Sequence, residues 1–223
     1  MVGLKEKMKK DARNYSALQS KIENNDRRKA DIYSVAATIY EEAKGLDDKG
    51  KTRVAETIRN RYNYYSKNTV NGARISYRDI VAAPGQYHGF SVHQNKKVTD
   101  FKKFENDLSP EQRQEWNRCV AIAQKMVDGR LNTDYAKGAL GFNKASVAAN
   151  KRNFNTDDVF KDDSCFLDSS RGHSPHVFFG SYHLAPLKDA NGKVLAKGGN
   201  PNPSKNTLVQ VRANQTRNQG ATL

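Results

Sequence analysis

Two cysteines in 223 residues, Cys119 and Cys165, are too few for a disulfide scaffold, and their separation fits no zinc spacing. Cys119 falls beside apolar residues in a helical pattern, which predicts a buried thiol. A single Cys119–Cys165 bridge stays open. No apolar run approaches the ~20 residues needed to cross a bilayer, so no membrane span is expected. The first residues, MVGLKEKMKKDARNY, carry charge but no apolar stretch, so no secretory signal is expected either. Hydrophobic residues make up 36% of the chain, below the usual globular range, so part of it should lie outside any core. Positive charge is in excess: 38 Lys and Arg stand against 24 Asp and Glu, a net +14. Such a balance predicts a polyanionic partner, whether nucleic acid, an anionic membrane face or a cell-wall polymer.

The most informative stretch is DIYSVAATIYEEAKG at 31–45. Ile32, Val35, Ala36, Ile39, Tyr40 and Ala43 recur at the spacing of one helix face. Gly45 offers a left-handed stop, with Lys44 in the last turn to complement the dipole. On a helical wheel Glu41 points away from the apolar stripe and Glu42 lies at its edge. Glu41 is therefore expected in water, and Glu42 half in an apolar rim. Desolvation disfavours a charged carboxyl, and a carboxyl so placed suits a general acid. An adjacent glutamate pair near a helix end is otherwise ordinary surface charge.

Residues 1–30 are polar, with Leu4, Met8, Tyr15 and Leu18 on a weak helical stripe. They read as an extension ending near Asn24-Asn25. After 31–44, LDDKGK reads as a turn and TRVAETIRNRYNYYSK as a second helix, with Thr52 as N-cap and Val54, Ile58, Tyr62 and Tyr65 inward. The short link predicts an antiparallel pair. Residues 66–108 are less regular, with a short helix at Ser76–Ala82 and a turn at Pro84-Gly85. A helix over 110–128 is the clearest: Ser109-Pro110-Glu111-Gln112 caps it, Trp116, Cys119, Val120, Ala123, Met126 and Val127 form its buried face, and Gly129 ends it. SPHVFFGSYHL at 174–184 has strand composition. Asn191-Gly192 suits a hairpin, and 198–223 read as mobile.

Four segments, spread over about residues 33–180, resemble one family in order: the SleB/CwlJ cell-wall hydrolases, which cleave bacterial peptidoglycan. ATIYEEAKG resembles the family's A-x-x-I-Y-G-E-A-R-G. IRNRY at 58–62 resembles the end of its next helix. APGQYHGFS at 83–91 and GALGFNKAS at 138–146 resemble its P-G-Q-F-S loop and its G-A-L-Y-Y-x-N-P segment. HVFF at 176–179 resembles its H-V-F-Y. The resemblance implies a mainly helical α+β fold with a lysozyme-like catalytic domain, a small strand region and flexible termini. Its domains would be a polar extension at 1–30, a catalytic domain at 31–187 and a basic tail at 188–223. It places the catalytic glutamate on Glu42, as the wheel does, and sets Gln86, Phe142, Asn143 and His176 along the cleft. Tyr87 or Phe90 takes the family's Phe position, because the loop has extra residues. Departures are Glu41 for the family's Gly, Leu46 for its second acid and Lys144 for its Pro.

The implied chemistry is cleavage of a β-1,4 glycosidic bond, with no cofactor and no metal. Usual hydrolysis needs a second carboxylate. Asp47, Asp48 and Glu56 are near in sequence, none at a compelling position. A lytic transglycosylase needs only Glu42, so that scheme is favoured over a muramidase-type hydrolase or an amidase. Gln86 and Asn143 would hydrogen-bond sugar substituents, Tyr87, Phe90 and Phe142 would stack on sugar faces, and His176 would orient a neighbour. Two rivals remain. One is a metal hydrolase using His88, His93, His173, His176 and His183, although no H-E-x-x-H occurs. The other is a basic nucleic-acid-binding virion protein, although no RRM, KH, zinc-finger or helix-turn-helix signature occurs. Expected partners are peptidoglycan, anionic wall polymers or DNA, and virion proteins. Lack of a leader together with basic extensions suits a phage-encoded protein, carried in the virion or made in the host cytoplasm and released to the wall.

Overall fold

From Leu4 to Lys44 the chain has neither proline nor glycine, and it forms one uninterrupted helix, α1 (Val2–Glu42). The computed structural model describes the backbone of residues 2–83, 87, 98–136, 138–144, 159–160, 176–179 and 184–199. It describes the side chains of 16–83, 87, 100–136, 138–142 and 184–199. The break expected at Asn24-Asn25 is absent. Asparagine in a helix costs a fraction of a kcal/mol relative to alanine, too little to stop one that is anchored further on. Gly45 takes φ 78°, the left-handed stop that the sequence predicts.

The next helix, α2 (Asp48–Lys67), starts four residues before the expected Thr52. Asp47 is the N-cap: its Oδ1 accepts the Gly50 N–H at 2.7 Å. LDDKGK is thus a cap and first turn. Gly50 is needed there because a Cβ would stand 2.9 Å from that of Leu46. Thr52 instead donates its hydroxyl to Asp48 O at 2.6 Å. The short helix α3 (Tyr77–Ala82) has the capping box Ser76/Asp79, and α5 (Pro110–Val127) has Ser109/Gln112 with proline in its first turn. Between them, α4 (Val98–Asn106) occupies a stretch whose sequence reads as irregular.

One apolar cluster runs from Ile32 to Ala196. Trp116, 1% exposed, is its centre: Tyr33 and Phe101 stack parallel to it, and Tyr40 and Phe104 meet it edge-on with centroids 5.8 and 5.3 Å away. Helix α4 is therefore held by Phe101 and Phe104, two aromatics one turn apart among lysines. Cys119 is a free buried thiol, pushed up to about 12 by burial. Arg28 grips both oxygens of Asp128, the C-cap of α5, at 2.8 and 2.9 Å, so α1 is tied to the far end of α5.

Strands are few. β1 (Gly141–Lys144), β2 (Val159–Phe160) and β3 (His176–Phe179) make an antiparallel sheet in the order β1-β3-β2. β4 (Leu187–Lys188) and β5 (Val194–Ala196) form a hairpin. Its turn is Asn191-Gly192, with Gly192 at φ 80° and Asp189 Oδ1 accepting the N–H groups of Asn191 and Lys193. Residue 187, the expected end of the catalytic domain, lies in β4 of this hairpin. Leu184, Leu187 and Ala196 are buried in the core, and Val70 N–H and Lys197 N–H bond across to Leu195 O and Asn68 O at 2.9 Å. Residues 200–223 lie outside the described residues. The fold is mainly helical, and among the described residues no helix is long and apolar enough to cross a membrane.

Asp31 joins α1 to α3. Its Oδ1 accepts the Arg78 N–H at 2.8 Å, and the side chain is buried beside Asp79. Burial pushes its pKa up, the Arg78 N–H works against that, and Asp79 adds to it. A raised carboxyl stabilises the fold below its unfolded pKa and loses that contribution as pH rises through its folded pKa. Asp31→Asn keeps the acceptor and removes the charge. The variant is expected to lose less stability than the parent between about pH 4 and 7, read from denaturant midpoints; parallel pH profiles would contradict this.

Candidate functional site

The site begins with α2, whose polar residues hold the segment from 131 to 140 by its backbone. Arg59 donates to Leu131 O at 2.7 Å and Thr133 O at 3.0 Å. Arg53 Nε donates to Tyr135 O at 3.1 Å, and Asn60 Nδ2 to Ala139 O at 2.9 Å. Arg61 Nε donates to Leu140 O. Glu56 Oε2 accepts the Ala136 N–H at 2.5 Å. Arg53, Glu56 and Arg61 are buried, at 1%, 0% and 4% exposure. Charged groups so deep need hydrogen bonds to offset desolvation, and the backbone of an irregular segment needs partners it cannot find in itself. Each meets the other's requirement. Glu56 Oε1 has no hydrogen-bond partner among the described residues.

This clamp leads directly into β1, which carries Phe142. Phe142 is half-buried, with its ring centroid 6.1 Å from that of Tyr87. The Arg61 guanidinium lies over the Tyr87 ring, 4.9 Å from its centroid. Burial pushes the Tyr87 hydroxyl up to about 12; Arg61 opposes this, and the nearby Glu42 carboxylate reinforces it. That hydroxyl has no partner among the described residues. Arg61 and Phe142 thus flank Tyr87, whose hydroxyl also feels the Glu42 charge; Arg61 is the member that the sequence does not predict. Glu42 is half-buried, as the wheel predicts. Glu41 is half-buried too, contrary to expectation, because helices pack around α1 on several sides near its end. The two differ in their neighbours: Glu41 acts on Tyr40 and Glu42 on Tyr87.

Other expectations fare differently. Tyr87 is 6% exposed, beneath the Arg61 guanidinium and beside the Phe142 ring, so it is not an open stacking face, whereas Phe142 is half-buried. Asn143 pairs with Val177 and His176 with Lys144 in the β1–β3 ladder, which brings two of the family-like segments side by side. The side chains of Asn143 and His176, like Gln86 and Phe90, lie outside the described residues. So do His88, His93, His173 and His183, which the metal-hydrolase rival needs, and Cys165. Among the described residues no group of three or more His, Cys, Asp and Glu could hold a metal ion. A hollow of about 200 Å³ opens beside the α1–α2 turn, lined by Gly45, Leu46, Lys51, Glu115 and Arg118 among others. None of the predicted site residues lines it. There Glu115 Oε1 accepts the Gly45 N–H and meets Lys51 Nζ, both at 3.3 Å, so its chemistry is already used in holding the turn.

The clamp residues were missed although a signal exists. Arg53, Glu56 and Asn60 recur at i, i+3 and i+7, a helical stripe made of polar residues where an apolar one would be read as core. Asn60→Ala leaves the fully buried Ala139 carbonyl without its donor. The expected cost is about 1–3 kcal/mol in denaturant unfolding, with faster amide exchange over 131–140. Unchanged stability together with unchanged exchange would contradict the clamp.

Set against known protein families, curated proteins and solved structures, the chain gives no match, so the site has to be read from its own chemistry.

Proposed function

We propose that this protein cleaves the MurNAc–GlcNAc backbone of peptidoglycan, as a lytic transglycosylase with Glu42 as its one catalytic carboxyl, in a lysozyme-like domain. What supports the reading is convergence. The four segments that resemble the cell-wall hydrolases lie far apart in sequence, yet Arg61 from the second lies over Tyr87 of the third, whose ring neighbours Phe142 and whose hydroxyl feels the charge of Glu42 from the first, while the fourth pairs with the strand of Phe142.

In this reaction Glu42 gives its proton to the glycosidic oxygen as the C1–O bond breaks. The C6 hydroxyl of the same muramic sugar then attacks C1, and Glu42 takes back the hydroxyl proton. A 1,6-anhydro end forms with no net gain of water. The internal hydroxyl supplies the effective molarity that a positioned water would otherwise need, and no second carboxylate is required. Arg61 fixes the Tyr87 ring at the back of the site. Phe142 offers an apolar face to a sugar ring. The net charge of +14 would keep the enzyme near anionic wall polymer.

Mass spectrometry of digested peptidoglycan reads the reaction directly. Anhydro-muramic ends are expected. Reducing ends would make the enzyme a hydrolase and freed peptides an amidase, and intact sacculi would end the proposal. Glu42→Gln is expected to lower the rate by roughly 10²–10⁴, and Glu41→Gln by less than about tenfold.

A further inference from the structure

From Ser16 to Arg27 every residue of α1 is exposed, on all sides of the helix. Arg28 ties α1 to the body at Asp128. The arm before it, residues 2–27, is about 39 Å long at 1.5 Å per residue. It contains two of the most exposed large apolar side chains among the described residues, Leu18 at 56% and Ile22 at 53%. They belong to a longer pattern: Leu4, Met8, Asp11, Tyr15, Leu18, Ile22 and Asn25 follow one another at alternating four- and three-residue steps. That is the 3.5-residue period of a coiled-coil seam, narrower than the apolar face of a helix that packs on a core. A long helix that leaves Leu18 and Ile22 in water lacks, at those positions, the packing that normally supplies helix stability.

Three occupants fit an apolar seam, and the charges choose among them. Residues 2–30 hold nine basic and four acidic side chains, and the sequence sets Lys5, Lys7 and Lys21 beside the seam. A second copy would set one basic arm against another. A membrane-lying helix calls for a broad apolar face with aromatic anchors. The first 30 residues have no Trp or Phe, and the seam carries Asp11 and Asn25. Polar residues inside a seam are used in coiled coils to fix register, and flanking charges to choose the partner. We propose that the arm of α1 docks one acidic amphipathic helix of a partner protein along the Leu18–Ile22 seam. This role is independent of the proposed chemistry at Glu42.

The probe is a labelled peptide of about four heptads, apolar at the two seam positions and Glu at the flanking ones, titrated against the full-length protein by fluorescence anisotropy. Two controls carry Lys at the flanking positions, or the same acidic composition in scrambled order. The acidic probe is expected to bind at least about tenfold more tightly than either. Leu18→Ser with Ile22→Ser should remove at least about tenfold of that affinity and leave the thermal midpoint unchanged. Lys21→Glu should weaken the acidic probe and strengthen the basic one. Equal binding of the ordered and scrambled acidic peptides would reduce the effect to bulk charge and overturn the proposal. A dimer of the protein alone in sedimentation, dissolved by the double substitution, would assign the seam to a second copy. Binding to anionic vesicles lost in that variant would assign it to a membrane.

Discussion

The site depends on side chains of one helix reaching the backbone of an irregular segment. Residues 131–140 have no ladder of their own, and α2 supplies the missing partners through Arg53, Glu56, Arg59, Asn60 and Arg61. Hydrogen bonds to charged groups contribute about 1.5–3 kcal/mol each when well formed, against about 1 for neutral ones. Several in parallel set the position of the segment, and so of the strand that follows it. The contacts are to backbone, while Ala136, Ala139 and Leu140 are buried and Phe142 packs against them, so the segment is held by its main chain and its side chains together.

Arg61 connects this clamp to the chemistry. The same guanidinium that holds Leu140 O covers Tyr87, whose ring neighbours Phe142 and whose hydroxyl feels the Glu42 charge. A change at Arg61 would therefore disturb both the clamp and the Tyr87 ring. At the other end, α1 joins two environments in one rigid element. Its C-terminal third is buried among aromatics, and residues 16–27, before Arg28, are exposed. Whatever engages the arm is rigidly linked to the helix that ends at Glu42.

Much of this was legible from local signals. The capping box at Ser109, the left-handed glycine at 45 and the Asn191-Gly192 turn each act through a few neighbouring residues, and each appears as predicted. The position of Glu42 followed from helix period alone. Misses arose where distant parts decide. Helix α4 looks polar until Trp116 is known to lie against Phe101 and Phe104. The hairpin at 187–196 looks like tail until Tyr65 is seen to reach Ala185 O at 2.6 Å. Arg53, Glu56 and Arg61 look like solvated charge, because burying them makes sense only when the segment that needs them is already in place.

The central claim is that a glycan lies across Phe142 with its scissile oxygen at residue 42. A crystal structure of the Glu42→Gln protein with a MurNAc–GlcNAc oligomer tests it most directly. The account predicts a glycosidic oxygen within about 3 Å of the residue-42 side chain and a sugar face against the Phe142 ring. An oligomer bound elsewhere on the molecule, with that corner empty, would contradict it.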